Sequence, residues 1–102
     1  MITKKWQIND GTTPVLSISE DGVYLAFKPG CLVGKTHAVK KMRPLILVDV
    51  DKHGEVIGVE RVPAPEKVSV ATLCKEAGVE IPASVAARTQ IRVYREETAA
   101  VA

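Results

Sequence analysis

The run LILVDVDKHGEVIGVERV, residues 45–62, constrains this chain more than any other stretch. Leu45 to Val50 is apolar on both faces of any strand built from it, so that strand belongs in the interior of a sheet. Asp51-Lys52-His53-Gly54 then turns the chain, with glycine where a left-handed backbone is needed. Val56 to Val62 is β-rich again. Two strands on a tight turn form a hairpin, and the rest of the chain has to pack around it.

The same run has the spacing of an EF-hand calcium loop, with Asp49, Asp51, Glu55, Glu60 and a central Gly54. His53, however, falls at an oxygen-ligand position, and imidazole is a poor ligand for a hard cation. Neither flank can supply the required helix: LILV is a strand sequence, and RVPAP cannot be helical. The hairpin accounts for every residue and the calcium cage does not. Asp49 and Glu60 are left as strand-borne carboxylates that should repel across the hairpin. Lys35, Lys40, Lys41 or Arg43 is expected to supply their counter-charge.

Before this hairpin the chain also reads as strands. Trp6 and Ile8 alternate with polar residues up to Asp10-Gly11. Val15 to Ser19, the turn Glu20-Asp21-Gly22 and the alternating VYLAFK form another hairpin, with Gly22 expected to be left-handed. Pro29-Gly30 ends that strand. Lys35 to Lys41 reads as a strand anchored by Val39, and Pro44 separates it from Leu45. Pro63 and Pro65 close the sheet region. The period then changes. Val70, Leu73, Cys74 and Ala77 fall on one helix face, capped by Ser69 and ended by Gly78. A short helix is expected from Pro82 to Arg88, with the proline in its first turn, and a last strand from Gln90 to Arg95. The fold class is therefore α+β: a mainly antiparallel sheet of hairpins, with one or two short helices packed on it and a final strand.

The chain has 102 residues, enough for one domain, expected over 1–97, with a disordered tail at 98–102. It is 46% hydrophobic and 25% charged, as in an ordinary globular domain, and its net charge of +2 is too slight to point to nucleic acid by itself. No apolar run approaches a membrane span and no apolar signal core opens the chain. No membrane partner is expected. Cys31 and Cys74 make no disulfide framework and are expected reduced in a cytoplasm.

Two further motifs fall short. GCLVGKT, residues 30–36, is one residue too short for a phosphate-binding loop and has no room for the helix such a loop must open. VATLCKEAGVEIPASVAAR resembles a helix-turn-helix, but its second helix offers only Ser84 and Arg88 as polar readers. The charge cluster Lys35, His37, Lys40, Lys41, Arg43 contains no acid and could meet a phosphate backbone or an acidic partner. The nearby acids Asp49, Asp51, Glu55 and Glu60 offer it simpler partners, in the same chain or in a second copy.

The DGVYLAF…LILVDVDKHGEVIGVE pattern resembles the family of small domains catalogued as domain of unknown function 2283. Asp21, Tyr24, Leu25 and Phe27 suit its first strand. Asp49, Asp51, Gly54, Val56, Gly58, Val59 and Glu60 suit its hairpin. The match covers about residues 15–64; His53, where the family has an acid, and the C-terminal helices depart from it. The resemblance implies a small β-rich α+β domain and no assigned activity, of a kind that looks like the product of mobile gene cassettes.

The favoured function is a non-enzymatic cytoplasmic binding or interaction module that self-associates as a dimer or higher, or takes a protein partner. No cofactor and no metal is expected. One alternative is nucleic-acid binding through Lys35, Lys40, Lys41, Arg43 and Arg88. Another is a small enzyme or ligand-binding protein with a pocket near Cys31, His37 and Asp49, the polar cluster being completed by Glu60.

Overall fold

A computed structural model of the chain describes residues 6–94. In chain order the elements are β1 (Trp6–Gln7), β2 (Val15–Ile18), β3 (Val23–Ala26), β4 (Lys35–Lys41), β5 (Leu45–Val50), β6 (Val56–Val62), α1 (Val70–Ala77), β7 (Val79–Glu80), α2 (Ala83–Ala87) and β8 (Gln90–Val93). Six strands form the main sheet in the order β4-β5-β6-β3-β2-β8. All its pairs are antiparallel except β2 with β8, which run parallel. The α+β class expected from the sequence is the one observed. Arg95, at the end of the expected last strand, and the tail at 98–102 lie outside the described residues.

The apolar run 45–50 sits where its composition requires, with β5 between β4 and β6. Ile46, Val48 and Val50 are buried, and Leu45, Leu47 and Asp49 on the other face are half-buried. The register carries one row of side chains across the whole sheet: Ile91, Leu16, Leu25, Val59, Val48 and His37. Its four central members are sealed from solvent. The parallel row one residue over lies on the opposite face and runs Arg92, Ser17, Tyr24, Glu60, Leu47 and Ala38.

The helices cover the first of these faces. Leu73, Cys74 and Ala77 of α1 enter the core, as their spacing predicts, together with Val85 of α2. Ser69 caps α1 by accepting the Thr72 N–H at 3.2 Å, and Gly78 takes the left-handed position after it with φ 79°. The hairpin turn is also as expected. The Gly54 N–H donates to the Asp51 carbonyl at 3.0 Å, and Gly54 has φ 83°.

Several local expectations need correction. Gly22 is not left-handed; only Gly30, Gly54 and Gly78 have positive φ among the described residues. Gly22 is needed for clearance, because a Cβ there would come within 2.6 Å of the Arg61 carbonyl oxygen. Val39 does not anchor β4. It falls where the register shifts between Ala38 and Lys40, and it is partly exposed. The half-buried residue of β4 is His37, whose ring lies 5.3 Å from that of Trp6. Trp6 belongs to a separate two-stranded parallel sheet, in which β1 pairs with β7, a strand the sequence reading did not foresee. Pro82 precedes α2 as its cap, not as part of its first turn, and its carbonyl accepts from Val85 and Ala86. Ile91 and Val93 of β8 alternate as expected but are exposed.

Candidate functional site

The face of the sheet away from the helices carries an organised polar group among the described residues. Tyr24 on β3 reaches across β6 and donates its hydroxyl to Asp49 Oδ2 at 2.9 Å. Thr36 on β4 donates to the other carboxylate oxygen, Oδ1, at 2.6 Å. Register explains the convergence. Ala26, Gly58, Asp49 and Thr36 lie in one row across β3, β6, β5 and β4, and Tyr24 stands one row over. The Tyr24 ring crosses at Gly58, where a Cβ would fall inside the tyrosine hydroxyl and ring. Glycine inside a strand marks such a close approach, and the aromatic ring fills the space that it leaves. Burial, the bond to Asp49, and the charges of Asp49 and Glu60 all raise the Tyr24 pKa. The phenol therefore stays protonated and works as a donor.

Asp51 is spent on the turn. Its Oδ1 accepts the backbone N–H of His53 at 2.8 Å and of Glu55 at 3.0 Å. The Glu55 bond, and then that of His53, hold its carboxyl below the usual range. Next to it, Lys28 and Glu55 form an exposed ion pair at 2.8 Å, and the bond to Glu55 raises the lysine pKa. The residues that mimic a calcium loop thus hold a hairpin and orient a tyrosine. Among the described residues no group of three or more His, Cys, Asp or Glu side chains is placed to hold a metal ion.

The counter-charge expected for Asp49 and Glu60 is not found among the described residues. The ion pairs among the described residues are Lys28–Glu55 and Arg61–Glu76, and none involves Lys35, Lys40, Lys41 or Arg43. Two hydroxyls satisfy Asp49 instead. β5 places only apolar residues and Asp49 opposite β4, so the lysines have no facing acid of their own.

Cys31, His37, Asp49 and Glu60 do not come together. His37 pairs with Val48 and lies on the helix-covered face, whereas Asp49 and Glu60 lie on the open one. Cys31 is exposed in the loop after β3, beside a hollow of about 410 Å³ that it shares with Leu32, Val33, Gly34, Asp51, Lys52 and His53. A larger open cleft, about 690 Å³, separates β1 from the hairpin tip. Trp6, Ile8, Phe27 and Val56 supply its apolar lining and Lys28, His53 and Glu55 much of its polar rim, without Cys31, His37 or Asp49. Cys74 is buried, and burial pushes its thiol up to about 12.

The basic residues divide in a similar way. Lys35, Lys40 and Lys41 lie exposed on β4 at one edge of the sheet, with Arg43 just beyond. Arg88 ends α2 near the other edge. Its Nε donates to the Thr12 carbonyl at 2.9 Å and its second terminal nitrogen donates to the Asp10 carbonyl. The guanidinium ties a loop down and does not join the lysine surface. β7 also separates α1 from α2, so the resemblance to a helix-turn-helix is limited to sequence.

Tyr24 was missed as a functional neighbour of Asp49 because its partner lies two strands away. The available signal was Gly58, a glycine in the middle of a β-branched run, which calls for a large side chain from a neighbouring strand. Comparison of the chain with protein-family models, with curated proteins and with solved structures finds no match.

Proposed function

We propose that the protein is an interaction module that associates with a second copy of itself through the β8 edge of its sheet. The observation that carries this reading is the contrast between the two edges. Natural sheets guard a free edge with lysines and bulges. β4 has both, with Lys35, Lys40, Lys41 and the register shift after Ala38, and so keeps off a second copy of the same basic strand. β8 has no register shift and a single cation, Arg92, and exposes Ile91 (62%), Val93 (60%) and the adjoining Tyr94 (53%).

The edge is self-complementary. Ile91 and Val93 share the face of Leu16 and Ile18. A two-fold axis through Ile91, perpendicular to the sheet, sets Ile91 of each copy opposite Ile91 of the other and Arg92 opposite Gln90, so no like charges face one another. Apolar pairs of this kind stabilise a strand junction, and the two sheets would become one. Two free thiols, Cys31 and Cys74, fit a reducing compartment, so a cytoplasmic location belongs to the same reading. We also place the chain with the domain of unknown function 2283 family on the strength of the hairpin motif. In this chain the motif residues serve the turn and the Tyr24 contact, so that placement carries no activity.

Light scattering after size exclusion tests the proposal. The expected particle is twice the 11.0 kDa of one chain. The double substitution Ile91→Glu and Val93→Glu should return it to one chain while the far-UV dichroism stays unchanged, because both side chains are exposed. A wild-type mass of one chain at tens of micromolar, or a variant that remains a dimer, overturns the reading.

A further inference from the structure

The other edge presents different chemistry. β4 is the outermost strand on its side of the sheet, and among the described residues no strand lies beyond it. Half of its backbone N–H and C=O groups therefore face outward. Four cations crowd this edge, with no acid anywhere from 35 to 43, and none of them forms an ion pair among the described residues. Exposed apolar side chains flank the strand, Leu32 (88%) before it and Met42 (82%) after it.

We infer that the β4 edge receives an extended acidic segment of another protein as a seventh strand of the sheet. The register shows how the cations would grip such a segment. Lys35 and Lys40 lie on the helix-covered side with His37, and Lys41 lies on the open side with Thr36. An added strand shows alternate side chains to the two faces, so acids on either face meet a lysine. Main-chain hydrogen bonds supply affinity and the alternating side chains supply selection, as in other cases of strand addition. Leu32 and Met42 would cover apolar residues at the ends of the segment.

A second copy of this chain does not fit here. Antiparallel pairing of β4 with itself sets the lysines of one copy beside those of the other, and like charges across strands repel. Single-stranded nucleic acid would also be drawn to the lysines, but its usual sites offer aromatic side chains on which bases stack. The large exposed apolar residues at this edge are Leu32, Val33, Val39 and Met42, none aromatic, and the Trp6–His37 ring pair beside β4 is half-buried. The inference does not depend on pairing at β8, which is the opposite edge.

The experiment uses the full chain and fluorescently labelled octapeptides. One alternates valine and glutamate, one alternates valine and lysine, and one is the acidic peptide with a central proline. An eight-nucleotide single strand is the fourth probe. Anisotropy at low salt should show binding of the acidic peptide, about tenfold weaker with the proline, which removes a ladder donor. The double variant Lys40→Glu and Lys41→Glu should lose about tenfold for the acidic peptide, from two reversed ion pairs. Hydrogen exchange should slow at the amides of residues 35–41 when that peptide binds. No binding of the acidic peptide, equal binding of the lysine or proline peptide, tighter binding of the oligonucleotide, or unchanged exchange on β4 each overturns the inference.

Discussion

At Gly58 the missing Cβ lets the Tyr24 ring lie across β6 and bring its hydroxyl to Asp49. Gly58→Ala should therefore cost about 2–3 kcal/mol, combining overpacking with a lost hydrogen bond. Tyr24→Phe should cost about 1 kcal/mol, the worth of one hydrogen bond. The discriminating measurement is a denaturant-melt cycle with Tyr24→Ala. If the ring is what Gly58 accommodates, Gly58→Ala becomes nearly free once the ring is gone. Additive costs would show that the glycine serves something else. Tyr24 also has a pH signature. Its folded pKa lies above its unfolded value near 10, so its contribution is complete below about pH 10 and is lost as pH rises further. Tyr24→Phe should flatten part of the alkaline fall in stability.

The hairpin of β5 and β6 shows what a single sequence can specify and where it stops. Its turn was legible because each requirement is local: an acid to accept backbone N–H groups, a glycine at positive φ, and β-branched residues on either side. The Asp51 carboxyl is depressed by those N–H groups, so its contribution is present above the unfolded pKa and is lost as pH falls through the folded value. Thermal melts should show Asp51→Ala less stable than wild type at pH 7, with the gap closing toward pH 2. A gap that is constant over that range would mean the carboxylate charge is not involved. The helix α1 was equally legible, since its cap, its buried face and its terminal glycine all lie within ten consecutive residues. The pairings of β1 with β7 and of β2 with β8 were not. A strand of two to four residues carries no mark of a partner some seventy positions away. The site followed the same division. Asp49 and Asp51 stood out by spacing, while the hydroxyls that hold Asp49 come from other strands, and only Gly58 hinted at one of them. The lysines of β4 were visible as a charge cluster. Only the sheet order showed that they line an edge and that Arg88 stands apart from them.

At the scale of the molecule, one apolar cluster among the described residues joins the sheet to α1, α2 and the small sheet, and Cys74 sits inside it while Cys31 sits outside. The two thiols therefore report different events. An aromatic disulfide reagent should modify Cys31 at once in the native protein. Cys74 should react only as fast as the core opens, accelerating with denaturant in step with unfolding. Rapid modification of both thiols in native buffer would contradict the packing of α1. The parallel pairing of β2 with β8 has a consequence for how the protein is made. A ribosome delivers the N-terminal strands first, and roughly seventy residues of synthesis separate Ile18 from Gln90. The two local hairpins can close during that interval, but β2 stays bare on one side. Leu16, which ends fully buried, has no parallel neighbour until β8 emerges. A pause in translation anywhere between these two strands would leave a nascent chain with a reactive strand exposed, and this is where a chaperone would find it.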